Sequence, residues 1–183
     1  MFGLFKKKKE NDGINEDFFA LAKDIIDTSD KVTKIYIEKR QQLKLADAGS
    51  DEVNTYYEFI YFYLHYLNRE CFTLGGKYAQ IKIYEVVARY VYEIIKIKSQ
   101  DDEFGDIFIR VFAEGINDAE LAYAKCDGWV NNEKLESSVF FEATRRVLMK
   151  NTEEEILIAA DLIYTAMNML NMNEKAKTLL ELN

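Results

Sequence analysis

The chain has 183 residues, 49% hydrophobic and 31% charged, with a formal net charge of −8. That length suits a single domain, and that composition supplies a core without need of disulfide staples. Without residues 1–9 the remainder carries 20 basic against 32 acidic groups, and an acidic body repels phosphate backbones, which excludes nucleic-acid binding by the fold.

Proline is absent and glycine numbers eight, where average usage of ~5% would give roughly nine prolines. Proline breaks helix interiors, so the expectation is an all-α single-domain bundle of about six to eight mostly antiparallel helices joined by short links. Residues 14–183 are expected to form that bundle, behind a flexible basic tail at 1–13.

In chain order, the tail MFGLFKKKKE places Phe2, Leu4 and Phe5 before Lys6, Lys7, Lys8 and Lys9. A first amphipathic helix is expected over 15–28, from Phe18, Phe19, Ala22, Ile25 and Ile26 at helical spacing. Ser29 or Asp30 caps a second helix to about residue 47, or the first runs on through the β-branched residues Val32, Thr33, Ile35 and Ile37. Over 51–74, Val53, Tyr56, Ile60, Leu64, Leu67, Cys71 and Leu74 share one face, and Gly75-Gly76 closes the helix. The next segment, 77–99, is apolar around most of its circumference, which predicts the middle of the bundle.

A fifth helix is expected over 102–125, with Phe104, Ile107, Phe108, Val111, Ala119 and Ala122 inward and Gly115 marking a close crossing or a kink. A sixth spans 133–150. Thr152 and Glu155 form a capping box for a seventh, which turns Ile156, Ala159, Ala160, Ile163, Met167 and Leu170 inward. Asn171 and Asn173 break it before a short last helix. Of Met167, Met169 and Met172, only the first points with the core. This final stretch, with Leu170, Ala176 and Leu180 at apolar positions, resembles a tetratricopeptide unit over less than one repeat. No second copy follows at 34 residues, so the resemblance does not imply an array.

Chemistry is constrained by counting. One histidine and two cysteines exclude the Glu-x-x-His pairs of di-iron bundles and a closed zinc site. Gly75-Gly76-Lys77 is a helix break, not a phosphate loop. No cofactor and no metal are expected. Cys71 and Cys126, with no secretory signal and no apolar run of ~20 residues, point to free thiols and a cytoplasmic protein without a membrane span.

The residues that stand out are on the third segment. His65 shares an angular sector with Glu58 and Arg69, opposite the aliphatic stripe and flanked by Tyr61, Phe62, Asn68 and Phe72. Arg69, at i+4, reaches His65, whereas Glu58 lies seven residues away, ~10 Å along the axis. The leading expectation is a non-catalytic protein-interaction module, in the form of self-association or a partner protein, using Tyr61, Phe62, His65, Arg69 and Phe72. A second is a small-molecule or lipid-binding bundle, with enzymatic activity left open, whose pocket holds Glu58, His65 and Arg69. A third is a peripheral membrane accessory, in which Phe2, Leu4 and Phe5 dip into an interface and Lys6–Lys9 meet anionic headgroups weakly.

Overall fold

The computed structural model of the chain describes residues 15–44, 52–100, 103, 105–129, 137–148 and 152–181. Phe2, Leu4, Phe5 and Lys6–Lys9 lie outside the described residues, as do Phe104 and 130–136, where the sixth helix is expected to begin. Within the described residues the fold is an all-α bundle: α1 (Glu16–Gln42), α2 (Glu52–Ala79), a π-helical turn (Gln80–Tyr84), α3 (Glu85–Lys98), α4 (Gly105–Tyr123), α5 (Val139–Val147), α6 (Glu153–Met169) and α7 (Met172–Glu181). One isolated bridge, Gly128 to Ser138, ties the loop after α4 to the start of α5.

α1 starts where Asn15 Oδ1 accepts from the amides of Asp17 (3.2 Å) and Phe18 (3.5 Å), with Glu16 and Asp17 in the first turn complementing the helix dipole. It runs unbroken past Ser29. That hydroxyl donates back to Ile25 O, and Thr33 does the same to Ser29 O, both at 2.8 Å. Satisfied within the helix, neither side chain begins a new one. The β-branched run fits because Val32, Thr33 and Ile37 fall on the buried face.

α2 is the centre of the molecule. Every residue from Phe59 to Leu64 is buried, and so is His65. It packs against α1, α4, α5, α7 and the π turn. Gly75 (φ −147°, ψ 17°) and Gly76 (φ 60°, ψ −150°) are non-helical, and Gly76 occupies a region that side chains disfavour. The expected end of the helix is therefore found as a kink.

The expectation of a central helix over 77–99 is corrected. α3 buries one face, Val87, Val91 and Ile95, and packs chiefly on α1, while Ile81 is 49% and Ile97 63% exposed. Counting Ile81, Ile97 and Tyr90 toward two buried faces misled the reading. The Tyr90 ring packs against the core while its phenol reaches a polar group; Tyr90 Oη accepts from the amide of Asn15 at 3.2 Å.

α4 is also rotated from its expected phase. Gly105, Phe112, Ala119 and Tyr123 are buried, with Ile109 and Ile116 packed against them, whereas Ile107 and Val111 are exposed. Gly115 sets this rotation: a Cβ there would lie 2.3 Å from Tyr61 Oη. Of the two alternatives, the glycine marks a close crossing, of α4 on α2.

Ser138 caps α5 through the Phe141 amide at 3.1 Å, and Thr152 caps α6 through the Glu155 amide at 3.2 Å. The inward face of α6 is Glu155, Ile158, Ala159, Leu162, Ile163 and Ala166; Ile156, expected inside, is exposed. Glu155 is wholly buried, and its Oε1 meets Arg40 Nε at 2.8 Å and the Tyr36 hydroxyl at 2.9 Å. Met172 is buried, contrary to expectation, because α7 packs its Met172, Ala176 and Leu179 face on α2. α6 packs instead on α1 and α5, so the last two helices do not form the repeat-like hairpin.

Two stability outcomes follow. Gly115→Ala drives a methyl into the Tyr61 ring and is expected to lower stability by about 1–3 kcal/mol, read as a lower urea midpoint at unchanged slope. Wild-type stability in that variant would mean the ring has room to yield. Glu155→Ala strands the Arg40 guanidinium and is expected to cost roughly 3–5 kcal/mol, most of it recovered in Arg40→Met/Glu155→Leu; a double variant no better than the single would contradict the pairing.

Candidate functional site

At its last turns before Gly75, α2 passes from full burial to the surface. His65, Asn68, Arg69, Phe72 and Thr73 follow the i, i+3, i+4, i+7, i+8 rows of one helical face. Glu120 of α4 and Gln80 of the π turn close on them from either side, and the loop bearing Trp129 completes an open groove of about 600 Å³.

A single hydrogen-bonded chain runs through it. Arg69 Nε donates to His65 Nε2 at 3.0 Å, and Arg69 Nη2 to the carbonyl of Cys126 at 2.7 Å. A guanidinium only donates, so Nε2 carries the lone pair and the proton sits on Nδ1. That Nδ1–H faces Glu120 Oε2 at 3.2 Å. Asn68 Nδ2 donates to the same oxygen at 3.2 Å, and the Tyr84 hydroxyl to Oε1 at 3.0 Å. Gln80 Nε2 holds Asn68 Oδ1 at 2.7 Å, which fixes the Asn68 amide with its NH₂ toward the carboxylate. The imidazole stacks on Tyr123, centroids 4.7 Å apart and planes 24° from parallel. The Arg69 guanidinium lies 5.7 Å from the centroid of Trp129, whose ring is braced edge-on by Tyr66 at 4.7 Å.

Burial alone would raise the Glu120 carboxyl. The hydrogen bond from His65 and the positive charge of that ring when protonated, then the hydrogen bonds from Tyr84 and Asn68, outweigh it and hold the group below its ordinary 4.5. The Tyr84 phenol is pushed far up, by burial first and then by the carboxylate it serves. The π turn matters here. It places Gln80 and Tyr84, four residues apart, on the same network.

The sequence-expected residues divide. His65, Arg69 and Phe72 line the groove. Glu58 does not: Arg146 of α5 grips it bidentately, Nε at 2.7 Å and Nη2 at 2.9 Å. Burial pushes its carboxyl up against the pull of Arg146. The expected Glu58/His65/Arg69 cluster is thus corrected to Glu120/His65/Arg69, because α4 delivers a carboxylate directly to Nδ1 while Glu58 stands two turns away. Tyr61 and Phe62 are core residues. Tyr61 donates to Phe112 O at 3.2 Å, and Phe62 meets the edge of Trp129. Phe72, 59% exposed, remains at the rim.

Glu120 was missed because it lies 55 residues from His65 in sequence. A signal existed: on the true inward face of α4 it sits at i+8 from Phe112, i+4 from Ile116 and i−3 from Tyr123, an acid on an apolar stripe.

Other features carry less. A depression of about 440 Å³ between α1 and α7 is lined by Asp17, Asp24, Glu174 and Lys175, whose Lys175–Asp24 pair is exposed. A narrower apolar cleft of about 140 Å³ separates α3 from α4 behind Tyr84. Among the described residues, no three His, Cys, Asp or Glu side chains gather as a metal site, and no helix is long and apolar enough to cross a membrane. No protein family, characterised protein or solved structure matches the chain, so function is read from the groove itself.

The depressed Glu120 carboxyl makes an acid-limb prediction. A group with a lowered folded pKa stabilises the fold above its unfolded value, near 4.5, and that contribution is lost as pH falls through the folded value. Glu120→Gln should therefore have a shallower decline in stability below about pH 4.5 than wild type, measured by urea titrations at stepped pH. Parallel acid limbs would remove Glu120 from the linkage.

Proposed function

We propose that this protein is a non-catalytic helical binding module whose α2–α4 groove takes a small ligand. One observation carries the reading: a half-buried carboxylate in an open groove, fixed by donors from α2 and the π turn, between the aromatic walls Phe72 and Trp129. Ligand sites combine apolar walls with a few converging polar groups, and a framework ordered in advance does not have to be ordered on binding.

The same geometry supports binding over catalysis. The lone pair of His65 Nε2 already accepts from Arg69, which leaves no free base in this arrangement. Burial pushes the Cys126 thiol up and the Cys71 thiol up to about 12, away from the thiolate that nucleophilic chemistry needs. A second reading, docking of a protein partner or a second copy, draws support from Phe72 (59% exposed), Tyr78 (61%) and Ile81 (49%), which are spaced along the end of α2 and the π turn. It is weaker because Tyr61 and Phe62, which that reading would use, are inside. A peripheral membrane role for Phe2, Leu4, Phe5 and Lys6–Lys9 stays a separate proposal, to be tested by vesicle flotation with and without residues 1–9.

The chain carries one tryptophan and one histidine, and both belong to the groove. Fragment screening by NMR should therefore find compounds that shift the Trp129 indole and His65 imidazole signals together. Thr73→Trp, which fills the groove from an exposed position, should weaken them at least about tenfold, or 1.4 kcal/mol. A diverse collection producing no joint shift would sink the binding reading. Sedimentation of Phe72→Glu beside wild type tests the partner reading: identical monomers in both would end its self-association form.

A further inference from the structure

The groove contains two charges, and they are unequally satisfied. Glu120 accepts from three donors, with both oxygens engaged. Arg69 has only neutral acceptors, an imidazole nitrogen and a backbone carbonyl. Among the described residues no carboxylate lies within ion-pair distance of it. Of the other arginines, Arg40, Arg145 and Arg146 each meet a glutamate at 2.7–2.8 Å, whereas Arg89 and Arg110, which meet no carboxylate among the described residues, are exposed to water and lie outside the groove. Arg69 is half-buried at the groove wall, and beyond its bonds to His65 and Cys126 its guanidinium has no hydrogen-bond partner among the described residues.

We infer that Arg69 is the anchor for an oxyanion, a carboxylate or phosphate group, on a ligand whose flat apolar portion lies between Phe72 and Trp129. A guanidinium presents a planar fork that carboxylates and phosphates match bidentately, and such charge-assisted bonds are about twice as strong as neutral ones. The exchange is favourable in kind, since the anion replaces weak neutral acceptors. The opposing charge is accounted for. Glu120 stands on the far side of the imidazole, with its oxygens directed at His65, Asn68 and Tyr84, and Gln80 beyond it is neutral. Asp127, beside the Cys126 carbonyl, is exposed and screened by water. Drawing Arg69 toward the ligand also releases His65 Nε2, so anion binding and the state of the imidazole are coupled.

This inference rests on the groove being a binding site and adds the class of ligand, so its test separates the two. Four probes of one shape, phenylacetate, phenyl phosphate, phenylacetamide and phenethylamine, are titrated while Trp129 fluorescence and the His65 imidazole ¹⁵N shifts are recorded. The two anions are expected to bind at least tenfold tighter than the amide or the amine, with movement of the His65 Nε2 resonance on saturation. The tighter of the two anions identifies the oxyanion. In Arg69→Gln the anions should lose their preference over the amide, while the urea midpoint and the Trp129 emission of the free protein report that the fold is intact. Amide or amine binding as tight as the anions would overturn the oxyanion assignment and leave the binding reading standing. Anion preference unchanged in Arg69→Gln would overturn it equally. Silence from all four probes would also overturn it, and the fragment screen then decides the broader reading on its own.

Discussion

The rest of the fold follows from burying one helix on all sides. α2 carries six consecutive buried residues, Phe59 to Leu64, before His65, so over that stretch no face of it is left to water. A helix in that position must find an internal partner for every polar atom on its side chains, because an unmade bond in the interior costs about 1–3 kcal/mol. The Tyr61 hydroxyl goes to a carbonyl of α4, and the Tyr63 hydroxyl to Ala166 O of α6 at 2.9 Å. Glu58 goes to Arg146 of α5. Each bond joins α2 to a different element. Apolar contacts alone tolerate sliding, whereas these bonds accept one register, so the polar atoms of α2 fix how its neighbours are placed.

The groove is where that demand meets the surface. His65 is as buried as its apolar neighbours, yet one turn later Arg69 is half-exposed and Phe72 is mostly wet. The network from Arg69 to Glu120 spans that gradient. Two local departures from regular helix make it possible. Gly75 and Gly76 kink the chain near the end of α2, and the π turn then presents Tyr84 to the Glu120 carboxylate and Gln80 to the Asn68 amide that serves it. Neither device contributes to the core in bulk; both act on direction.

What was legible in the sequence divides along the same line. Helical periodicity, the absence of proline, the Gly75-Gly76 break and the Thr152 cap are local signals, and they recur in the structure as helices, kink and cap. Rotational phase was less legible. Tyr90 counts as apolar in a periodicity argument but partly serves a polar contact, and Ile81 and Ile97 stay exposed, so α3 looked central. Gly115 could have corrected α4, because a glycine in mid-helix indicates the face of closest approach, and taking that face as inward places Glu120 inside. His65 and Arg69 were found because they are neighbours on one helix. Glu120 and Arg146 were not, because pairing across 55 and 88 residues is decided by packing that no local pattern encodes.

The network at His65 is a poor device for stability as such. An apolar set of similar volume would hold α2 against α4 at least as well, since burying a carboxylate carries a desolvation cost that good hydrogen bonds only offset. Elsewhere the molecule shows what a closed polar contact looks like: Arg40 and Glu155 are both sealed from water, with the Tyr36 hydroxyl on the same oxygen. The His65 assembly differs in being open on one side. Its carboxylate is fully engaged, but its guanidinium is turned to neutral acceptors beside an unfilled volume. A purely structural network gains nothing from leaving its cation half-satisfied at a solvent-facing wall. The asymmetry, more than the presence of a histidine, is what gives this end of α2 the character of a site.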